Sequence, residues 1–340
     1  MSTHAPSTPT CILGLGLIGG CLMRDVAAAG GTVFGWNRSP GAVNRAAQEG
    51  FDVSDDLVAT LRRAEEEGAL VVIGVPMPAV PAMLDAVKEF APTCGLTDVV
   101  SVKQAVYDEI LARGMQERYV GAHPMAGTAE SGWDATFTGL FDGAPWVVCY
   151  DHADDERRAG RKTSPEWRTV FRAVVELGVA VGSEIIAARA RHHDRAVARV
   201  SHLPHLLAEA LAVVGDSGGA LTLSLAAGSF RDGTRVAGTA PHLVRAMCEN
   251  NSAAVLDALD EALRLLASAR EELAVNGSVE KLAEAGHISR QRYEARSGTR
   301  EAPGGVALSH RPTIRIRPGD RGWIAQLEHA EHLGARIEIA

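Results

Sequence analysis

Short apolar runs alternate with amphipathic stretches along residues 10–183. Segments 10–13, 32–36, 70–75, 98–102, 119–122, 146–150 and 179–183 are mostly continuous apolar runs, the pattern of parallel strands buried on both faces. Helical periodicity between the earlier ones gives repeated βαβ units, and with them an α/β fold built on a doubly wound sheet. Residues 151–166 turn polar and read as a solvated loop or insertion. From about residue 187 the strand pattern stops, and 188–214 and 252–275 read as long helices. The second carries Val255, Leu256, Leu259, Leu263 and Leu266 at helical spacing, with Ser252 as an N-cap and Asn276-Gly277 as a stop. Two such helices hold more apolar surface than one modest domain covers, which points to a helical dimer interface. Residues 297–305 read as a linker, 313–317 alternate apolar and basic, 323–333 read as a helix and 335–339 as a short strand.

Composition narrows the classes. A chain of 340 residues suffices for two packed domains. With 46% hydrophobic and 22% charged residues it is an ordinary globular protein. No apolar run reaches the ~20 residues of a membrane span, and the first residues lack the basic and apolar regions of a secretion signal. The five cysteines form no Cys-x-x-Cys pair, which fits reduced thiols in the cytoplasm better than a disulfide frame or a metal site. A net charge of −8 opposes a nucleic-acid partner.

Chemistry enters at Gly14-Leu15-Gly16-Leu17-Ile18-Gly19, which follows the first strand and opens a helix. Gly14 permits the tight turn, Gly16 lets a pyrophosphate approach the backbone, and Gly19 lets helix and strand pack closely. The N–H groups of Leu17, Ile18 and Gly19 then face the phosphate. The expected cofactor is a nicotinamide dinucleotide. NAD enzymes usually place an acid about 20 residues past this loop, against the ribose 2′-hydroxyl. Here Asn37, Arg38 and Ser39 stand instead, a neutral-to-basic set that suits a 2′-phosphate. NADP is therefore favoured, with NAD use left open. The resulting division is a dinucleotide-binding Rossmann-like domain over 1–186, a helical dimerisation and substrate domain over 187–296, and a linker with a short tail of unassigned role over 297–340.

Ligands of an open parallel sheet lie beyond the C-terminal strand ends. Ser101-Val102-Lys103 closes one strand and His123 the next. His123 suits proton removal from an alcohol that is losing hydride, the alternative being a histidine that caps the next segment. Ser101 would orient the same hydroxyl or cap a helix starting near Gln104. Lys103 would contact an anion or be solvated. The second half adds His193-Asp194, Ser201-His202-Leu203-Pro204-His205 and Arg231-Asp232-Gly233-Thr234-Arg235. The two arginines form either a structural ion pair with Asp232 or a clamp for a dianion. No set of metal ligands stands at familiar spacing, so no metal is expected.

Together, the Gly14–Gly20 loop, Ser101–Lys103, 123–127, His193-Asp194, Ser201–His205 and Asp232–Arg235, in this order, resemble the prephenate/arogenate dehydrogenases of tyrosine biosynthesis. The resemblance covers about residues 10–290. It implies oxidative decarboxylation of a cyclohexadienol dianion by a homodimer, with His123 as hydrogen acceptor for the ring hydroxyl, aided by Ser101. It also implies that Arg235 holds a carboxylate and that His205 lines the pocket. Asp232 is a further pocket candidate, able to face the ammonium that distinguishes arogenate from prephenate. A β-hydroxyacid dehydrogenase shares only the first ~80 residues of this pattern, and the lysine on a second-domain helix that it would need has no counterpart. A non-catalytic NADP-binding protein would not need both Ser101 and His123.

Overall fold

A computed structural model describes residues 5–128, 130–297 and 311–340. The first sheet takes β1 (Thr10–Leu13), β2 (Val33–Trp36), β3 (Val53–Ser54), β4 (Leu70–Ile73) and β5 (Leu96–Asp98). They alternate with α1 (Leu17–Ala28), α2 (Pro40–Gln48), α3 (Leu57–Glu67) and α4 (Val80–Phe90). Strand order is β3-β2-β1-β4-β5 and every pairing is parallel. The order reverses between β1 and β4, so the glycine loop lies at the topological switch point where doubly wound sheets bind ligands.

Next come α5 (Gln104–Ala112), β6 (Ala122–Pro124), β7 (Pro145–Cys149), α6 (Asp151–Arg158), α7 (Pro165–Ala180) and β8 (Glu184–Ala188). The helical half holds α8 (Ala190–Val197), a π turn (Ala198–His202), α9 (Leu203–Ser217), α10 (Gly219–Ser224), α11 (Gly228–Thr234), α12 (Pro241–Glu249), α13 (Ser252–Asn276) and α14 (Glu280–Ser297). The tail forms β9 (Thr313–Ile316), α15 (Trp323–Leu333) and β10 (Arg336–Ile339). It returns to the first half: a second sheet runs β6-β7-β8-β10-β9, its last two strands supplied by the tail. A parallel bridge from Leu96 to Tyr119 joins the two sheets. Trp323 drives this return, packing 6.2 Å from Trp167 and 5.9 Å from Phe171 in the buried core beneath the second sheet.

Several expected boundaries move. Segment 179–183 is not a strand, because the helical spacing of Val170, Phe171, Val174 and Val175 continues to Ala180; Gly182, at φ +82°, ends the helix, and β8 starts at Glu184. Residues 151–158 are a helix with His152, Ala153 and Asp154 buried rather than a solvated loop. Ser252 opens α13 without capping it; Asn251 holds the cap position, and Gly277 stops the helix in the left-handed region at φ +63°.

The continuous run Ala190–Ser217 is long and apolar enough to cross a membrane by length and composition, although only 22% of its apolar window is buried in the single chain. Here it packs against α13 and the short helices after it. Leu207, Leu211, Val213 and Val214 on this run, and Leu256, Leu263 and Leu266 on α13, are exposed in the single chain.

Candidate active site

The glycine loop is shaped for an anion. A Cβ at Gly14, where φ is +106°, would sit 2.8 Å from the Gly74 carbonyl oxygen. One at Gly19 would sit 2.0 Å from the Gly14 carbonyl oxygen. A Cβ at Gly16 would meet nothing within 4 Å. Two glycines thus close the turn against β4 and α1, while the third leaves its approach open. Gly16 caps α1 with no side-chain bond, so the first N–H groups of the helix remain available. These residues fit a dinucleotide pyrophosphate. At the end of β2, Asn37 is half-buried and Arg38 and Ser39 are exposed.

Beyond β5, a buried network fixes the neighbouring strand. Lys103 is fully buried and pairs with Asp98, its Nζ also donating to the Ala122 carbonyl at 2.6 Å. Tyr119 Oη donates to the other Asp98 oxygen at 2.6 Å. Lys103 is therefore not solvated, and its charge is engaged by the Asp98 carboxylate rather than turned toward a ligand's phosphate or carboxylate. It ties the turn bearing Ser101 to the strand bearing His123.

His123 lies within β6, opposite Val147, rather than beyond a strand end, because the pairing begins only at Ala122. Its Nδ1 is 2.8 Å from His193 Nε2, and His193 Nδ1 is 2.8 Å from Asp194 Oδ1. The carboxylate assigns the tautomers. Asp194 accepts from His193 Nδ1–H, so His193 Nε2 accepts from His123 Nδ1–H, and His123 Nε2 is left as a bare acceptor. Burial holds the His123 imidazole well below the ordinary histidine pKa, with His193, Lys103 and His202 pushing the same way. Burial also lowers His193, against the pull of Asp194. For Asp194, burial alone would raise the pKa, but His193 and two backbone N–H groups outweigh it and keep the carboxylate ionised.

Those N–H groups belong to Lys103 and Gln104, at 2.8 and 2.9 Å. Asp194 thus caps α5 from the other half of the molecule, and Ser101 does not cap it. Ser101 is half-buried, and its hydroxyl has no hydrogen-bond partner among the described residues. Asn251 donates to the Asp194 carbonyl at 2.8 Å. The π turn precedes Pro204, which has no N–H to give a regular helix, and it carries the buried His202. Burial lowers His202 to a pKa of about 4. His205 is half-buried with Nδ1 2.9 Å from the Ser201 carbonyl, which leaves its Nε2 as an acceptor.

Two family models match the chain: the nucleotide-binding domain of prephenate dehydrogenase over residues 22–161 and its dimerization domain over 189–285. The chain belongs to the prephenate dehydrogenase family. It is 32% identical to a cyclohexadienyl dehydrogenase of Zymomonas mobilis over 77% of this chain and 87% of that protein. A Corynebacterium glutamicum structure described as a candidate prephenate dehydrogenase is 56% identical, with TM-score 0.91 over 98% of this chain and 99% of that one. The arogenate dehydrogenase of Synechocystis is 27% identical, with TM-score 0.65 over 84% of this chain and 99% of that one. Members are NAD(P)-dependent oxidoreductases, and this chain is one.

Not every expected family residue gathers at His123. Arg235 is exposed at the start of a 3₁₀ turn, Arg235–Gly238. Helix α11 ends at Thr234, so Asp232 and Arg235 do not share one regular helical turn. Asp232 is exposed and, among the described residues, pairs only with Arg231, at 3.6 Å. Neither Asp232 nor Arg235 bonds to His123, Ser101 or His205 among the described residues. His193 and Asp194 stand out in the sequence as a pair, but the sequence alone gives them no role. Their adjacency within the motif was the available signal, but the 70-residue gap to His123 hid the contact.

Proposed function

We propose that this enzyme oxidatively decarboxylates prephenate to 4-hydroxyphenylpyruvate with NADP as the preferred acceptor. The observation that carries this reading is the chain from Asp194 through His193 to His123, which leaves His123 Nε2 bare in a protein whose glycine loop fits a dinucleotide. Bound there, the nicotinamide would accept a hydride from ring C4. His123 Nε2 takes the C4 hydroxyl proton as that hydride leaves. The bond from C1 to its carboxylate then breaks, carbon dioxide departs, and its electron pair completes the aromatic ring. The proton returns to the phenolate oxygen. Ser101, with a free hydroxyl, orients the C4 oxygen. Arg235 holds one carboxylate and His205 lines the pocket, the protein's part being alignment and charge stabilisation.

Asn37, Arg38 and Ser39 support NADP, since Arg38 is exposed and none of the three is acidic. A second reading, turnover of arogenate, draws on Asp232. Its carboxylate is not consumed by Arg235 and remains available to an ammonium. Prephenate stands first and measurable arogenate turnover is expected beside it. The exposed leucines and valines of α9 and α13 support a homodimer through the helical half. Free thiols at all five cysteines suit the cytoplasm. The test is formation of reduced nicotinamide with prephenate, arogenate and a 3-hydroxyacid panel, each with NAD and NADP. Turnover of the hydroxyacids alone would overturn the reading.

A further inference from the structure

The tail lies outside both matched family regions, the second of which stops at residue 285. It nevertheless reaches the acid–base chain through one side chain. Glu331, on α15, is almost fully enclosed, with 11% of its side chain exposed. It accepts from Tyr150 Oη at 2.6 Å and from Arg189 Nη2 and Nε at 2.8 and 3.0 Å. It also accepts from the Arg189 backbone N–H at 2.8 Å, and His192 Nδ1 lies 3.0 Å away. Arg189 is the N-cap of α8, and its carbonyl accepts the first bond of that helix from the His193 N–H at 2.8 Å. Glu331 therefore grips the residue on which the backbone of His193 hangs. Asp151 fixes the next position, accepting from the Ala190 N–H at 2.9 Å.

The rest of the tail aims this grip. β10 pairs with β8 through Arg336 and Ile186, two residues before β8 ends at Ala188. Trp323 anchors the start of α15 in the core. A groove of about 750 Å³ separates α15 from α8, with Val147, Ile186 and His193 among its walls. Across that space the carboxylate of Glu331 is a direct polar tie between the two helices. The histidine pair needs such a tie, because a shift of about 1 Å in reacting groups costs up to ~100-fold in rate.

We propose that Glu331 is a positioning residue for the dehydrogenase reaction: the tail clamps the start of α8 so that His193 stays in bonding register with His123. This rests on the function proposed above. The test compares Glu331→Ala, Glu331→Gln and Tyr150→Phe with the native enzyme. Measured are kcat, KM for NADP, Tm and amide hydrogen exchange over 189–194. Glu331→Ala is expected to lose about 10- to 100-fold in kcat, with KM for NADP unchanged and exchange at the start of α8 faster. Glu331→Gln, whose amide oxygen still accepts from the Arg189 N–H, recovers part of the rate. Tyr150→Phe, which keeps the cap, loses less and covers the case in which the alanine variant does not fold. A native kcat in Glu331→Ala, or a kcat that falls only in step with NADP affinity and Tm, overturns the proposal. Native enzyme inactive on both prephenate and arogenate sinks the functional reading instead. Unchanged exchange over 189–194 in Glu331→Ala sinks the clamp whatever the substrate.

Discussion

His123 Nδ1 and His193 Nε2 stand 2.8 Å apart, with ring planes at 72°, although 70 residues of chain separate them. With Asp194 behind it, His193 fixes both the tilt and the tautomer of the His123 ring. Replacing His193 by Ala leaves His123 Nδ1–H without its acceptor and frees the ring to present a proton to substrate. Loss of an orienting partner of this kind costs about 10- to 100-fold. The expected result is a fall in kcat of that size, with NADP affinity retained. His193→Gln, whose side-chain oxygen can accept the same proton, should lose less.

The histidine environment sets the pH profile. His123 must be neutral to take a proton, and burial first, then His193, Lys103 and His202, hold its pKa below the ordinary value. A base with a lowered pKa stays competent to lower pH and is lost only as pH falls through that lowered value. The acid limb of kcat/KM should therefore lie below the usual histidine value of about 6.5. A limb at or above that value would show that another group titrates.

Much of this was legible in the chain itself. The glycine loop is local: strand, turn and helix lie within twenty residues, and β1 begins and ends where its apolar run does. Helix α15 follows its own periodicity from Trp323 to Leu333. What escaped depends on partners distant in sequence or on competition between periods. Segment 179–183 is as apolar as a strand, yet the preceding helix claims its first residues. Lys103 looks like a surface cation until folding sets Asp98 and the Ala122 carbonyl around it. The strands of the tail find their place against the open edge of β8, a partner distant in sequence.

Substrate charge is tested at Arg235, which is exposed and holds no structural pair among the described residues. Arg235→Ala should leave Tm unchanged and raise KM for prephenate about 10- to 100-fold, the loss expected for a charge-assisted hydrogen bond. Equal loss of NADP affinity would place Arg235 in the framework instead. Asp232→Asn should depress kcat/KM for arogenate and spare prephenate; parallel losses on both would remove Asp232 from substrate choice.

Cofactor choice is tested at the end of β2. The pair Asn37→Asp and Arg38→Ala exchanges a phosphate site for a hydroxyl acceptor, and the ratio of kcat/KM for NADP over NAD should fall. A native enzyme that already prefers NAD would contradict this reading of Asn37, Arg38 and Ser39.

The most direct test of the proton acceptor is the turnover of prephenate by His123→Asn, followed as reduced nicotinamide beside an NADP binding titration. Losing a general base costs about 10²- to 10⁴-fold in kcat, and that loss with unchanged NADP affinity is the predicted result. Turnover within twofold of the native enzyme would contradict the assignment of His123 and, with it, the role of the chain from Asp194.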